Sequence, residues 1–298
     1  MPFQGNQGSL GFSGDSQYQF LPIAILDLSS HTPRGQEPEK FVSFAAGNNH
    51  LLVLTNHGNI YALGAGEEGQ LGRRVLERRK IHGTKPEKVV LGARSRKAVL
   101  VGTGNNHSFA VDEAGDTWAW GLNSKGQAGT GVSNLKTDGE VHAPARVKNL
   151  SKEELGGTTV VEIAGGDHHT LFLTSDGRVF ACGRSEDGQL GLADDHPAFE
   201  DRVFEDFLPE PVQITFPDMN DRIVNISAGT HGNMAVSADG VLYAWGVQAQ
   251  GELGLGDESG AKTPTVIVRK TGQWAAVKAS CGGQHSVALL KKREVDED

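Results

Sequence analysis

A twenty-five-residue pattern, NNHLLVLTNHGNIYALGAGEEGQLG at Asn48–Gly72, returns at Asn105–Gly129, Asp167–Gly191 and Thr230–Gly254, and no other feature limits the possible folds so strongly. Each copy reads as a glycine turn with a histidine, a short apolar run, a tight glycine turn, a second run ending in glycine, and a closing G-x-x-G. The opening glycines, Gly47, Gly104, Gly166, Gly229 and Gly282, lie 57, 62, 63 and 53 residues apart. Such a period marks a solenoid or propeller, whose units bury their apolar faces only by stacking on one another.

The physical reading of each part agrees with that architecture. The runs Leu51–Leu54, Phe109–Val111, Leu171–Leu173, Met234–Val236 and Val287–Leu290 have the length of buried strands and are too short for packed helices. Gly58, Gly115, Gly177 and Gly240 follow, where glycine accepts the positive φ of a tight hairpin. Four hairpins are predicted. Their second strands, Tyr61-Ala62-Leu63-Gly64, Trp118-Ala119-Trp120-Gly121, Phe180-Ala181-Cys182-Gly183 and Tyr243-Ala244-Trp245-Gly246, alternate bulk with alanine. One sheet face is then thick and the other admits a close neighbour, as stacked blades require. The closing elements Gly69–Gly72, Gly126–Gly129, Gly188–Gly191 and Gly251–Gly254 each pin one apolar side chain between two glycines in a compact loop, and outer strands such as Pro86–Leu91 and Pro211–Phe216 come after. The expected fold class is all-β, a β-propeller.

With 298 residues the chain can bury a large core, and the repeats favour one domain. Its 40 glycines sit at fixed repeat positions, so they punctuate turns and form no low-complexity tract. The net charge of −9 argues against the chain as a whole wrapping a nucleic-acid backbone. The two cysteines, Cys182 and Cys281, make no disulfide framework and point to a reducing compartment. No apolar run reaches membrane-spanning length, and no signal-peptide plan opens the chain.

The boundaries read as a half repeat at 1–40, repeats at about 41–97, 98–158, 159–221 and 222–272, a half repeat at 273–290, and a charged tail at 291–298. The opening segment Gly5-Asn6-Gln7-Gly8-Ser9-Leu10-Gly11 looks like a closing element, so the chain starts in mid-repeat. Two arrangements follow: the complementary halves share a blade and close a small ring, or the chain is an arc of a larger one. Between the repeats, Arg73–Lys97 is a basic insertion holding Arg73, Arg74, Arg78 and Arg79, read first as a solvated loop. Ala193–Pro209 is acidic with interspersed Phe199, Phe204 and Phe207, a surface excursion or a partner contact.

His50, His107, His169 and His285 recur three residues after an opening glycine, with His168 beside one of them. Equivalent positions in different blades cannot share one metal, so a hydrogen bond from each imidazole to turn backbone is the expectation. There is no nucleophile motif, zinc spacing or phosphate loop, because the glycine-rich pieces precede strands and not helices. The sequence therefore predicts no enzyme active site, no cofactor, no metal and no small-molecule substrate.

The segments AAGNNHLLVLTNHGNIYALGAGEEGQLGR, GGDHHTLFL, GGQHSVALL and GNQGSLGF resemble the regulator-of-chromosome-condensation family of exchange factors for the Ran GTPase, across the whole chain. WD-repeat propellers fit less well, since their period is shorter and the Trp-Asp dipeptide is absent. The resemblance implies a seven-bladed propeller whose later part this chain matches, giving a partial ring. It implies docking on Ran with a wedge that stabilises the nucleotide-free state, together with association with nucleosomes or chromatin in the nucleus; the cytoplasm is the alternative location. The wedge matches Gly5, Asn6, Gln7, Gly8, Ser9, Leu10 and Gly11. The other implied contacts match Asn49, Arg73, Arg74, Arg78, Arg79, His168, His169 and His285. At Asn49 the human-type pattern has an aspartate, which weakens the case for a charged role there. An interaction propeller without exchange activity, serving as a scaffold or ubiquitin-pathway module, is the competing reading.

Overall fold

Runs of alternating residues broken by glycine turns give strands that pair with their sequence neighbours. In a computed structural model of the chain, the described residues are 3–4, 18–19, 28, 37–74, 85–132, 139–200, 202–256 and 260–293. β1 (Phe3–Gln4) and β2 (Tyr18–Gln19) pair with each other. The first blade is the meander β3 (Phe41–Ala46), β4 (His50–Thr55), β5 (Ile60–Gly64) and β6 (Glu87–Val89). The second blade comprises β7 (Ala98–Thr103), β8 (His107–Asp112), β9 (Thr117–Leu122) and β10 (Glu140–Arg146). The third comprises β11 (Val160–Gly165), β12 (His169–Thr174), β13 (Val179–Arg184) and β14 (Phe207–Gln213). The fourth comprises β15 (Ile223–Ala228), β16 (Gly232–Ser237), β17 (Leu242–Gly246) and β18 (Ala261–Val268), and a hairpin of β19 (Trp274–Cys281) and β20 (Ser286–Lys292) follows.

The predicted hairpins form with one turn geometry. Gly58, Gly115, Gly177 and Gly240 have φ of 69°, 85°, 91° and 76°, and each donates its amide to the carbonyl three residues earlier. A side chain there would strain the backbone in the left-handed region.

Blades stack through the faces that the sequence marks. Trp118 and Trp120 point towards the first blade, where Gly72 and Gly92 leave room for their rings. On the other side of the second blade, Phe109 meets Phe172 of the third edge to face at 5.3 Å. The inner strands come closer still: a Cβ on Gly102 would sit 2.8 Å from Cβ of Ile163. Ala62, Ala119, Ala181 and Ala244 are wholly buried, which is the close approach that small residues allow.

Of the two arrangements open to the sequence, the structure is the partial ring. Among the described residues, β19 pairs only with β20 and β1 only with β2. The faces at the two ends are apolar and open: Phe44 of β3 is 75% exposed and Val287 of β20 is 64% exposed.

Candidate functional site

Because every sheet is an antiparallel meander, alternate connections lie at the same end of the blades. The short turns 47–49, 104–106, 166–168, 229–231 and 282–285 share one end with the long connections 65–86, 123–139, 185–206 and 247–260. The hairpin turns at Gly58, Gly115, Gly177 and Gly240 lie at the other. Asn49, Arg73, Arg74, His168, His169 and His285 therefore all belong to a single face. Gly5 to Gly11, Arg78 and Arg79 lie outside the described residues.

The short turns are tied into a track around the axis. The amide of Asn48 donates to the Asn105 carbonyl at 2.9 Å, and that of Asn105 to Gly166 at 3.0 Å. Asp167 and Thr230 continue it with longer bonds, both 3.4 Å, to the Thr230 and Gly282 carbonyls.

Beneath this track lies a polar latch at each blade junction. Nε2 of His50 meets Ser108 Oγ at 2.8 Å, Nε2 of His107 meets Thr170 Oγ1 at 2.8 Å, and Nε2 of His169 meets Asn233 Oδ1 at 2.7 Å. Ser108, Thr170 and Asn233 in turn donate to the Gln70, Gln127 and Gln189 carbonyls of the preceding closing loop. Trp120 and Trp245 donate to two of the same carbonyls. Since each hydroxyl has given its hydrogen to a carbonyl, and Asn233 presents an oxygen, the imidazole must donate. All three rings therefore carry hydrogen on Nε2, and burial without a counter-charge makes them neutral. Burial pushes His50 and His169 down to about 4 and His107 to about 3, which keeps them so.

The expected imidazole bond to turn backbone is thus replaced by a side-chain bond across the junction. The opening glycine also has a different task from the one its turn suggested. A Cβ on Gly47, Gly104 or Gly166 would lie 2.1, 2.1 or 2.2 Å from Cε1 of the histidine three residues on, so the G-x-x-H spacing makes room for a ring. The sequence carried a signal for the acceptors, namely Ser, Thr or Asn directly after the next blade's histidine or glycine. In the first blade that position is Leu51, whose side chain can take no such bond.

The candidate contact residues divide accordingly. The His169 ring is a junction latch, 1% exposed. Its neighbour His168 is partly exposed, with Nδ1 3.0 Å from Asp167 Oδ2. Arg73 is held by its own blade: its guanidinium donates to the Ala62 and Lys85 carbonyls and pairs with Glu87 at 3.0 Å. Arg74 and His285 are exposed, and Asn49 is half-buried. His285 occupies the latch position of the last hairpin.

The acidic excursion is folded onto the same face. It contains a single helical turn at Pro197–Phe199, stacks Phe204 on Phe207 at 4.3 Å, and joins the second blade through the Lys125–Asp206 ion pair. Among the described residues no group of three or more His, Cys, Asp or Glu side chains is placed to hold a metal ion, and no helix is long and apolar enough to cross a membrane.

In comparison with known proteins, the RCC1-like domain model matches residues 4–288. The chain belongs to the RCC1-like domain family. Protein pim1 of Schizosaccharomyces pombe is 36% identical over 276 residues, covering 88% of this chain and 49% of pim1. Guanine nucleotide exchange factor SRM1 of Saccharomyces cerevisiae is 30% identical over 292 residues, covering 96% and 56%. The crystal structure of Prp20p from Saccharomyces cerevisiae, described with its binding to Gsp1p and histones, superposes with a TM-score of 0.80 at 29% identity. That superposition covers 99% of this chain and 64% of Prp20p. The RCC1-like chain thus spans between about half and two thirds of the length of these relatives.

Proposed function

We propose that this chain acts as a guanine-nucleotide exchange factor on a Ran-type small GTPase, docking through the face that carries the short turns. The observation that supports this most directly is the placement of Asn49 and Arg74 of the first blade, His168 of the third and His285 of the last hairpin, which share that face. Exchange by docking needs no acid, base or nucleophile. Small GTPases hold nucleotide with affinities of about 12 to 16 kcal/mol, so the exchanger must supply comparable contacts to the nucleotide-free state. An extended platform of at least standard interface size provides them, whereas one loop does not. The coupling is reciprocal: protein that weakens nucleotide binding is itself released when nucleotide returns.

In this reading the segment Gly5–Gly11 is the wedge beside the phosphate site, and Arg78 and Arg79 add basic contacts. Chromatin association in the nucleus follows from the same kinship, since the related Prp20p is described with histone binding. The deciding experiment is release of a fluorescent guanine nucleotide from a Ran-type GTPase by catalytic amounts of the chain. Accelerated release supports exchange, and His285→Ala combined with deletion of 5–11 should abolish it. Stoichiometric binding without acceleration would mark an interaction propeller and remove the exchange reading.

A further inference from the structure

Of the adjacent histidines of the third blade, His169 holds its hydrogen on Nε2 against Asn233, while His168 sets Nδ1 beside the Asp167 carboxylate. Resting on the exchange reading above, we propose that Asp167 is a positioning residue that fixes His168 with hydrogen on Nδ1, so that Nε2 faces the docked GTPase as a hydrogen-bond acceptor. Nδ1 of His168 is shut off from solvent, and the group beside it is the Asp167 carboxylate at 3.0 Å. The contact falls short of a well-formed hydrogen bond, but the carboxylate has only lone pairs to offer. A bare Nδ1 lone pair would face it repulsively; an N–H is attracted. Nε2 has no hydrogen-bond partner among the described residues, while the side chain as a whole is 30% exposed.

The carboxylate is itself fixed from the second blade. Asn105 Nδ2 donates to its Oδ1 at 3.0 Å. The neighbouring imidazole, and then Asn105, hold Asp167 down at about 2, so it stays ionised. Both backbone sides are tied as well, the Asp167 amide to the Thr230 carbonyl and the His168 carbonyl to the Arg184 amide at 2.9 Å. No other blade repeats the arrangement: Asn48, Asn105, Thr230 and Gly283 stand where Asp167 does, and none carries a charge. The matching group on the GTPase is a donor, such as a lysine ammonium, a hydroxyl or a main-chain N–H.

Two measurements on the full chain test this. Imidazole 15N spectra at alkaline pH should show His168 as the Nδ1–H tautomer in the wild type, shifting towards Nε2–H in Asp167→Ala. The Nε2–H signal of His169 should persist in both and reports that the third and fourth blades remain docked. Nucleotide release from a Ran-type GTPase should slow about tenfold in Asp167→Ala, as expected for one misaligned hydrogen bond, and change less than about twofold when Asp167→Ala is added to His168→Ala. An Nε2–H tautomer at His168 in the wild type, an unchanged tautomer in Asp167→Ala, or equal slowing in both backgrounds overturns the proposal. If the wild-type chain does not accelerate release, the exchange reading fails by itself, and the tautomer spectra still decide the role of Asp167.

Discussion

The junction between the second and third blades makes a strong prediction at Thr170. Its hydroxyl stands between the His107 Nε2 donor at 2.8 Å and the Gln127 carbonyl at 2.8 Å, and the residue is wholly buried. Thr170→Val keeps the shape and removes the oxygen. The substitution leaves the buried His107 Nε2–H with nothing to bond and the Gln127 carbonyl with only the weak Cys182 thiol donor at 3.5 Å, at about 1 to 3 kcal/mol each. The added methyl recovers less than about 1 kcal/mol. A loss of about 2 to 5 kcal/mol is expected. Thr170→Ser should be much milder, because it keeps both bonds and gives up one methyl, about 1 kcal/mol. The molecule already supports this ranking, since Ser108 performs the same task one blade earlier.

Urea unfolding monitored by tryptophan fluorescence would compare the two variants, since Trp120 lies at the neighbouring junction. Hydrogen exchange at the Asn105 amide gives the local reading, because that amide bonds to Gly166 across the affected junction. A valine variant as stable as the serine variant would falsify the latch as a source of stability.

Three further outcomes follow from the same geometry. His50, His107 and His169 have folded-state pKa values of about 4, 3 and 4, below the unfolded value near 6.5, so the unfolded chain binds more protons and stability falls as pH drops below about 6.5. By pH 5 each ring has lost roughly 2 kcal/mol, and acid unfolding should begin between about pH 5 and 6; a flat urea midpoint from pH 7 to 5 contradicts it. Gly104→Ala places a Cβ 2.1 Å from Cε1 of His107 and should destabilise by about 3 kcal/mol or more, whereas Gly156→Ala, with φ of 70° and open space, should cost only about 1 to 2 kcal/mol in melting experiments. His107→Ala should cost about 3 kcal/mol or more, while His285→Ala, at an exposed ring in the equivalent position, should stay within about 0.5 kcal/mol and act on nucleotide release instead.

The strands, hairpins and blade faces were legible in the sequence because each depends on residues near in the chain. Glycine at Gly58 fixes a turn within four residues, and the Trp118-Ala119-Trp120 alternation fixes which face is thick. The latch was not legible because its parts come from three places: His107, Thr170 and the Gln127 carbonyl meet only after two blades have docked. Periodicity shows that a histidine recurs; it does not show what the ring touches. The same limit affected the candidate contacts. Their shared face follows from strand direction alone, but the inward turn of Arg73 depends on the Ala62 and Lys85 carbonyls, which no motif encodes.

In the proposed exchange reading, the dipeptide His168-His169 lets a structural repeat carry a surface contact without weakening itself. In β structure successive side chains point to opposite sides, so adjacent positions at a strand's start need not share an environment. His169 looks into the junction and must stay neutral, since a charge there would have to be buried between blades. His168 precedes it in the turn, partly exposed, with its main chain already fixed by Arg184. Rigidity supplied by the first histidine therefore holds the second in place before any partner arrives, which reduces the ordering cost of docking. A substitution that loosens the His169 latch should consequently weaken docking through His168 as well, even though its own side chain never reaches the surface.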